Sequence, residues 1–183
     1  MWKIIRADLH RYGTLTNLLK GLKEPGYRFL FFHRNVSKHK PYSLLGLMYR
    51  RRRRRRRMLI HKYGSKIPIN TEIGEGFFIG HFGTIVRNDD VKIGKNRNIA
   101  HTTTIGQANK AKLQISPAIR DNVWIESGTK LAEKIRILSN ILKTPKTFLN
   151  IDVPNNSLVL NYHVKIIEKE NPTQGYINNI YKT

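Results

Sequence analysis

Seven histidines and no cysteine leave imidazole, hydroxyl, carboxyl and amine groups as the side chains able to do acid–base or nucleophilic work. A thiolate nucleophile and a zinc–thiolate site are excluded. Among the histidines, His81 has the most specific setting, Ile79-Gly80-His81-Phe82-Gly83. Glycines on both sides mark a tight corner. A neutral imidazole there is suited to take a proton from a poor nucleophile. The plainer alternative is a corner residue with no chemical role. His101, in Ala100-His101-Thr102, occupies a similar place; it could line a substrate site or be structural. His61 and His163 read as solvated.

The second chemical feature is the unbroken run from Arg50 to Arg57, in a chain of 183 residues with a formal net charge of +22. A field of that sign attracts anions: nucleic acid, acidic lipid, acidic polysaccharide or a nucleotide-bearing cofactor.

The elements that must position His81 are legible from a repeat of six. Ile67, Ile73, Ile79 and Ile85 form one series, and after a slip at Val91-Lys92 the count resumes at Ile93, Ile99 and Ile105. A third series reads Ile119, Ile125, Leu131, Ile137. Six steps of a 3.6-residue spiral land on opposite faces, so no α-helix keeps such a pattern together. Two or three strand residues, a corner, and the same again do so. This is the signature of a hexapeptide-repeat parallel β-helix, a mainly β fold.

Gly74, Gly76, Gly94 and Asn96 suit the corners, because Gly and Asn tolerate left-handed backbone. Residues Gln107 to Pro117 break the count and read as a loop thrown out from the coil. From Ile119 the pattern decays: Arg120, Glu126, Ala132 and Leu138 follow the repeat positions, and Lys143 falls where a buried residue is due. The count recovers at Leu149, and residues 151–156 read as a turn leaving the coil.

The chain divides into a helical, strongly basic region (1–62), the coil domain (63–167) and a polar C-terminal tail (168–183). In the first region, Trp2, Ile5, Leu9 and Tyr12 share a helical face, which Leu15, Leu18, Leu19 and Leu22 continue until Glu24-Pro25-Gly26. A second helix is expected over Tyr27–Val36 and a third over Tyr42–Tyr63. The runs Phe29–Phe32 and Leu44–Met48 fall far short of the roughly 20 residues that span a bilayer. The N-terminus lacks the apolar stretch of a signal peptide. A soluble or peripheral protein of a reducing cytoplasm is expected.

Residues 62–167 resemble the hexapeptide-repeat acyltransferases, in their serine acetyltransferase-like branch. The matching segments are Ile73-Gly74-Glu75-Gly76-Phe77-Phe78-Ile79-Gly80-His81-Phe82-Gly83-Thr84-Ile85-Val86, then Ile93-Gly94-Lys95-Asn96 and Ile99-Ala100-His101-Thr102-Thr103-Thr104-Ile105-Gly106. Beyond the loop come Ser116-Pro117-Ala118-Ile119-Arg120-Asp121-Asn122-Val123-Trp124-Ile125 and Asp152-Val153-Pro154-Asn155-Asn156-Ser157. The resemblance implies a left-handed coil, a homotrimer with sites between subunits, and acetyl-CoA as donor, with no metal.

Three departures shape the expected acceptor. Lys66 stands where serine acetyltransferases carry an Asp that orients the catalytic His, and Ser116 stands where they carry a His before Pro. Both point away from serine. They point toward relatives that acetylate sugar hydroxyls of surface polysaccharides, which Tyr63-Gly64-Ser65-Lys66-Ile67-Pro68 also resembles. Leu160-Asn161-Tyr162-His163-Val164-Lys165 replaces the usual Gly-x-Pro-Ala element beside the cofactor.

The expected function is therefore acetyl transfer from acetyl-CoA to a sugar hydroxyl, with His81 as general base and His101 as a second candidate catalytic residue. Backbone N–H groups at Gly83 or its neighbours would hold the oxyanion. Gly106 and Gln107 would admit the pantetheine arm, and Lys110, Lys112 and Lys165 would meet its phosphates or else stay solvated. Trp124 is read as packing on the coil. Alternatives are a serine O-acetyltransferase, or a catalytically weak β-helix kept as a binding or scaffold subunit. For the arginine run, a solvated helix face and an anionic membrane surface compete. In the membrane reading, Phe29–Phe32 and the first helix supply the apolar side. Nucleic acid ranks last, since no aromatics interleave with the arginines.

Overall fold

The computed structural model describes residues 2–13, 17–39, 42–49, 51, 65–81, 83, 85–86, 90–106, 117–132, 135–160 and 164–181. Among the described residues, α1 (Trp2–Arg11), α2 (Leu18–Gly21) and α3 (Pro25–Lys38), with a further helical stretch over residues 44–49, precede fourteen short strands. Strands β1 (Glu72–Ile73), β4 (Lys92–Ile93), β7 (Ala118–Ile119) and β10 (Arg136–Ile137) form one parallel sheet. A second parallel sheet holds β3 (Ile85–Val86), β6 (Thr104–Ile105), β9 (Lys130–Leu131) and β12 (Phe148–Leu149). The third holds β2 (Phe77–Ile79), β5 (Arg97–Ile99), β8 (Val123–Ile125), β11 (Ile141–Lys143) and β13 (Ser157–Leu160), with β14 (Lys165–Glu168) added antiparallel. The three faces make the parallel β-helix that the sixfold count predicts.

The apolar ladder lines the inside. Ile79, Ile99 and Ile125 stack in register, as do Ile93, Ile119 and Ile137, and all are buried. One rung corrects the count. Val86, not Ile85, pairs with Ile105 and is fully buried. Val86 follows Ile79 by seven positions where Ile105 follows Ile99 by six, so the corner that carries His81 holds one extra residue.

The expected decay after Ile119 does not occur in the backbone. Asn96, Asn122, Asn140 and Asn156 take the left-handed corner conformation (φ 51, 54, 57 and 54°) that Gly76 takes in the first coil (φ 73°). Asn tolerates that region, so the corner survives loss of its glycine. Lys143 is buried as the register requires, stacked between Ile125 and Val159. Its Nζ donates to the Thr147 carbonyl at 3.1 Å. Burial pulls the Lys143 ammonium down to about 7.

The helical region differs from the expected continuous first helix. Gly13 adopts φ 69° and ends it; the side-chain oxygen of Asn17 then caps α2 by accepting from Lys20 N at 3.1 Å. Ile5, Leu9 and Tyr27 form a small core, while Trp2 and Leu19 stay exposed, which breaks the proposed stripe at both ends. Leu15 and the span 52–63 of the third expected helix lie outside the described residues; residues 44–49 are helical. Helix α3 begins at Pro25, two residues earlier than expected, with proline at a position that needs no N–H.

This region caps the open edge of the first coil. Asp8 accepts from Phe77 N at 3.0 Å, and Tyr12 Oη both accepts from Ile79 N (3.0 Å) and donates to Ile79 O (3.1 Å). Arg34 pairs with Asp8 at 3.0 Å and donates to the carbonyls of Ile73 and Gly74. These groups satisfy backbone that would otherwise face no neighbouring strand. Gly26 makes the approach possible, since a Cβ there would sit 2.1 Å from Ile79 O.

The polar C-terminal tail also packs on the coil. Asn96 and Tyr181 exchange hydrogen bonds (3.1 and 3.2 Å), Thr173 donates to Asn140, and Ile177 is buried.

Candidate active site

His81 and His101 are brought together by register. Ile79 pairs with Ile99, and two residues further on the imidazoles face each other at the same corner of successive coils. Their ring centroids lie 5.5 Å apart with the planes at 86°. Both side chains are exposed, so substrates can reach them. Thr102, at φ 55°, holds the corner beside His101, and Gly83 lies over it: a Cβ on Gly83 would meet Thr102 N at 3.2 Å.

Among the described residues, no hydrogen bond reaches either imidazole. Lys66 pairs through its backbone carbonyl with Val86 N at 2.8 Å and is exposed, so it supplies no carboxylate to orient the ring. The carboxylate one coil further on belongs to Glu126, which the sequence reading passed over as a symptom of decay. Its Oε1 accepts from Trp124 Nε1 at 2.7 Å and its Oε2 from Ser127 N at 3.2 Å. Register was the available signal: Ile99 pairs with Ile125, so Glu126 follows beneath Ala100 and Ser127 beneath His101.

The other expected site residues fare unequally. The Gly83 N–H is already given to Ser65 Oγ at 3.1 Å, so it is not free to hold an oxyanion in this arrangement, contrary to the expectation. Gly106 N–H is likewise given to Leu131 O at 3.0 Å. Gln107, Lys110, Lys112, His61, His163 and Ser116 lie outside the described residues. Lys165 opens β14, five strands from β2 in the same sheet, or roughly 24 Å at the usual strand spacing. It is not brought to the histidine pair within one chain. Trp124 packs on the coil surface as expected, edge-on to Tyr176 at 5.8 Å. No three His, Asp or Glu side chains among the described residues cluster to hold a metal ion.

An open cleft of about 530 Å³ runs along the outer face of the third sheet, walled by Tyr12, Phe78, Asn98, Trp124, Tyr176 and Asn178. Phe78 and Asn98 each precede a histidine by three residues, at most about 10 Å of chain.

No family model matches the chain. A serine acetyltransferase of Staphylococcus epidermidis strain RP62A is 31% identical over 107 residues, 58% of this chain and 50% of that protein. The chain thus spans about half the length of the curated relatives it matches. Among solved structures, serine acetyltransferase of Neisseria gonorrhoeae matches with a TM-score of 0.71 at 22% identity, covering 98% of this chain and 71% of that one. Serine acetyltransferase of Brucella abortus strain S19, solved in complex with coenzyme A, matches at 0.72 and 20%, covering 92% and 68%. In fold, from the helical cap through the last coil, the chain is similar to serine acetyltransferases.

Proposed function

We propose that the chain is an O-acetyltransferase that takes acetyl from acetyl-CoA, with serine as the hydroxyl acceptor. The observation that carries this is the in-register pair His81–His101, exposed on successive coils of a β-helix shared with serine acetyltransferases. The residues fit the donor in two ways. Both imidazoles are open to a thioester and an alcohol, and a net charge of +22 attracts a polyanionic carrier. His81 takes the proton of the acceptor hydroxyl as its oxygen attacks the thioester carbonyl. The thiolate of coenzyme A leaves and is protonated. Holding both substrates at one corner supplies much of the acceleration. His101 stands edge-on to His81 and lines the acceptor side. Assembly into a homotrimer, with sites between subunits, belongs to the same reading and is checked by light scattering.

The preference for serine departs from the sugar acceptor expected from sequence, because the relatives are named for serine. Two observations keep a sugar hydroxyl as the second reading. Lys66 and Ser116 replace an acidic residue and a histidine expected of a serine-specific site. The cleft on the third sheet, lined by aromatic and amide side chains with Arg11 and Glu24, also has room and chemistry for a sugar ring.

Thiol release from acetyl-CoA, corrected for hydrolysis, decides between them with serine and a panel of sugars. His81→Ala should lower acceptor-dependent turnover by about 10²–10⁴-fold. Equal rates in the two proteins would remove His81 from the chemistry. Release with sugars alone transfers the acceptor to the second reading. A chain that binds no acetyl-CoA in calorimetry is instead a β-helical scaffold.

A further inference from the structure

Tyr42, Leu44, Leu45, Leu47 and Met48 are 90%, 85%, 52%, 53% and 39% exposed, the densest group of open apolar side chains among the described residues. They are held in place. Ser43 Oγ caps the short helix over residues 44–49 by accepting from Gly46 N at 3.0 Å. Tyr49 packs its ring on His39, Phe32 and Phe31 at 5.3, 6.2 and 6.5 Å. Gly46 is buried three residues before it, so the inner side of this turn faces α3 and the leucines point outward.

The arginine run follows Tyr49 directly in the sequence, and it has no acid to meet nearby in the chain. Between Glu24 and Glu72 there is not one Asp or Glu. The expected apolar side for such a cationic run, Phe29–Phe32, is not available, because Leu30 and Phe32 are buried.

We propose that residues 42–49, together with the charge of the arginines that follow, dock the protein on an anionic lipid bilayer. The leucines would enter the headgroup boundary while the guanidinium groups meet lipid phosphates. The apolar group is too short to span, and no helix among the described residues is long and apolar enough to cross a membrane. Charge complementarity selects this occupant. A second copy carries the same cationic run, with no acid between Glu24 and Glu72 to meet it, and a nucleic acid would leave the leucines in water. The proposal does not rest on the acetyl-transfer reading.

The test is co-sedimentation of the full chain with vesicles of phosphatidylcholine containing phosphatidylglycerol, against phosphatidylcholine alone. Binding is expected only to the anionic vesicles, and it should weaken with salt. Leu44→Ser with Leu47→Ser, both at open positions that leave the fold intact by circular dichroism, should weaken it at least about tenfold. Replacing Arg53, Arg54, Arg55 and Arg56 by Gln should weaken it by more than about 100-fold, each arginine contributing about fivefold. Equal binding to both vesicles, or unchanged binding by the leucine variant, overturns the proposal. So does a leucine variant that keeps vesicle binding but drops to a smaller assembly in light scattering, which would assign the surface to a second copy.

Discussion

The two ends of the β-helix each bury a charge, and they treat it in opposite ways. At the N-terminal edge Asp8 is enclosed, yet Arg34 chelates it and Phe77 N donates to it. Burial pushes the Asp8 carboxyl up, against the pull of Arg34 and the neighbouring N–H groups. Toward the C-terminal end Lys143 is equally enclosed, and its ammonium has a single carbonyl, that of Thr147. The edges themselves are closed differently as well. Asp8 of α1 and Tyr12 just beyond it satisfy β2, and Arg34 of α3 satisfies the carbonyls of Ile73 and Gly74, whereas β14 satisfies β13 through an antiparallel ladder. A polar seal depends on a few individual atoms. A backbone seal is nearly indifferent to which side chains it carries.

Breaking the paired charge should have the largest effect. Asp8→Ala leaves Arg34 buried without its anion and Phe77 N without an acceptor, and should cost about 3–5 kcal/mol in chemical denaturation. A loss below about 1 kcal/mol would mean that the helical region does not seal the coil. Removing the unpaired charge should act the other way. Lys143→Met keeps the volume and discards an amine whose folded value lies near 7 against 10.5 ordinarily, so it should stabilise by about 1–4 kcal/mol at pH 7. Between those two values the unfolded chain binds the extra proton, so wild-type stability should rise with pH from about 7 to about 10.5. The Met variant should lose that slope; an unchanged slope would show that Lys143 stays charged in the coil. The smallest effect is expected at the backbone-sealed end. Lys165→Ala, on exposed β14, should change stability by less than about 0.5 kcal/mol. Its KM for acetyl-CoA then shows whether Lys165 meets the donor's phosphates, the role expected of it from sequence.

The comparison also explains which parts of the molecule could be read in advance. The period of six forced the parallel coil, because the stacking of Ile79 on Ile99 and Ile93 on Ile119 is the one arrangement that buries every sixth residue. His81 was found for the same reason, its glycine-flanked corner being local. Two of the missed features lie between distant segments. Glu126 looked like decay until register placed it one coil below the histidine corner, and Gly83 looked free until Ser65, eighteen residues earlier, took its N–H. The count also misassigned Ile85, since an extra residue in a corner is invisible to a fixed period.

By itself, then, the sequence determined the coil and the cationic character of the chain, because periodicity and charge are properties of neighbouring residues. Only the tertiary structure decided that His81 meets His101, that Asp8, Tyr12 and Arg34 close the first coil, and that the open apolar surface is Leu44 and its neighbours rather than Phe29–Phe32. Those outcomes depend on which segments pack against which, and burial of a leucine or pairing of a carboxylate is settled by that packing and not by the residue's own neighbours in the chain.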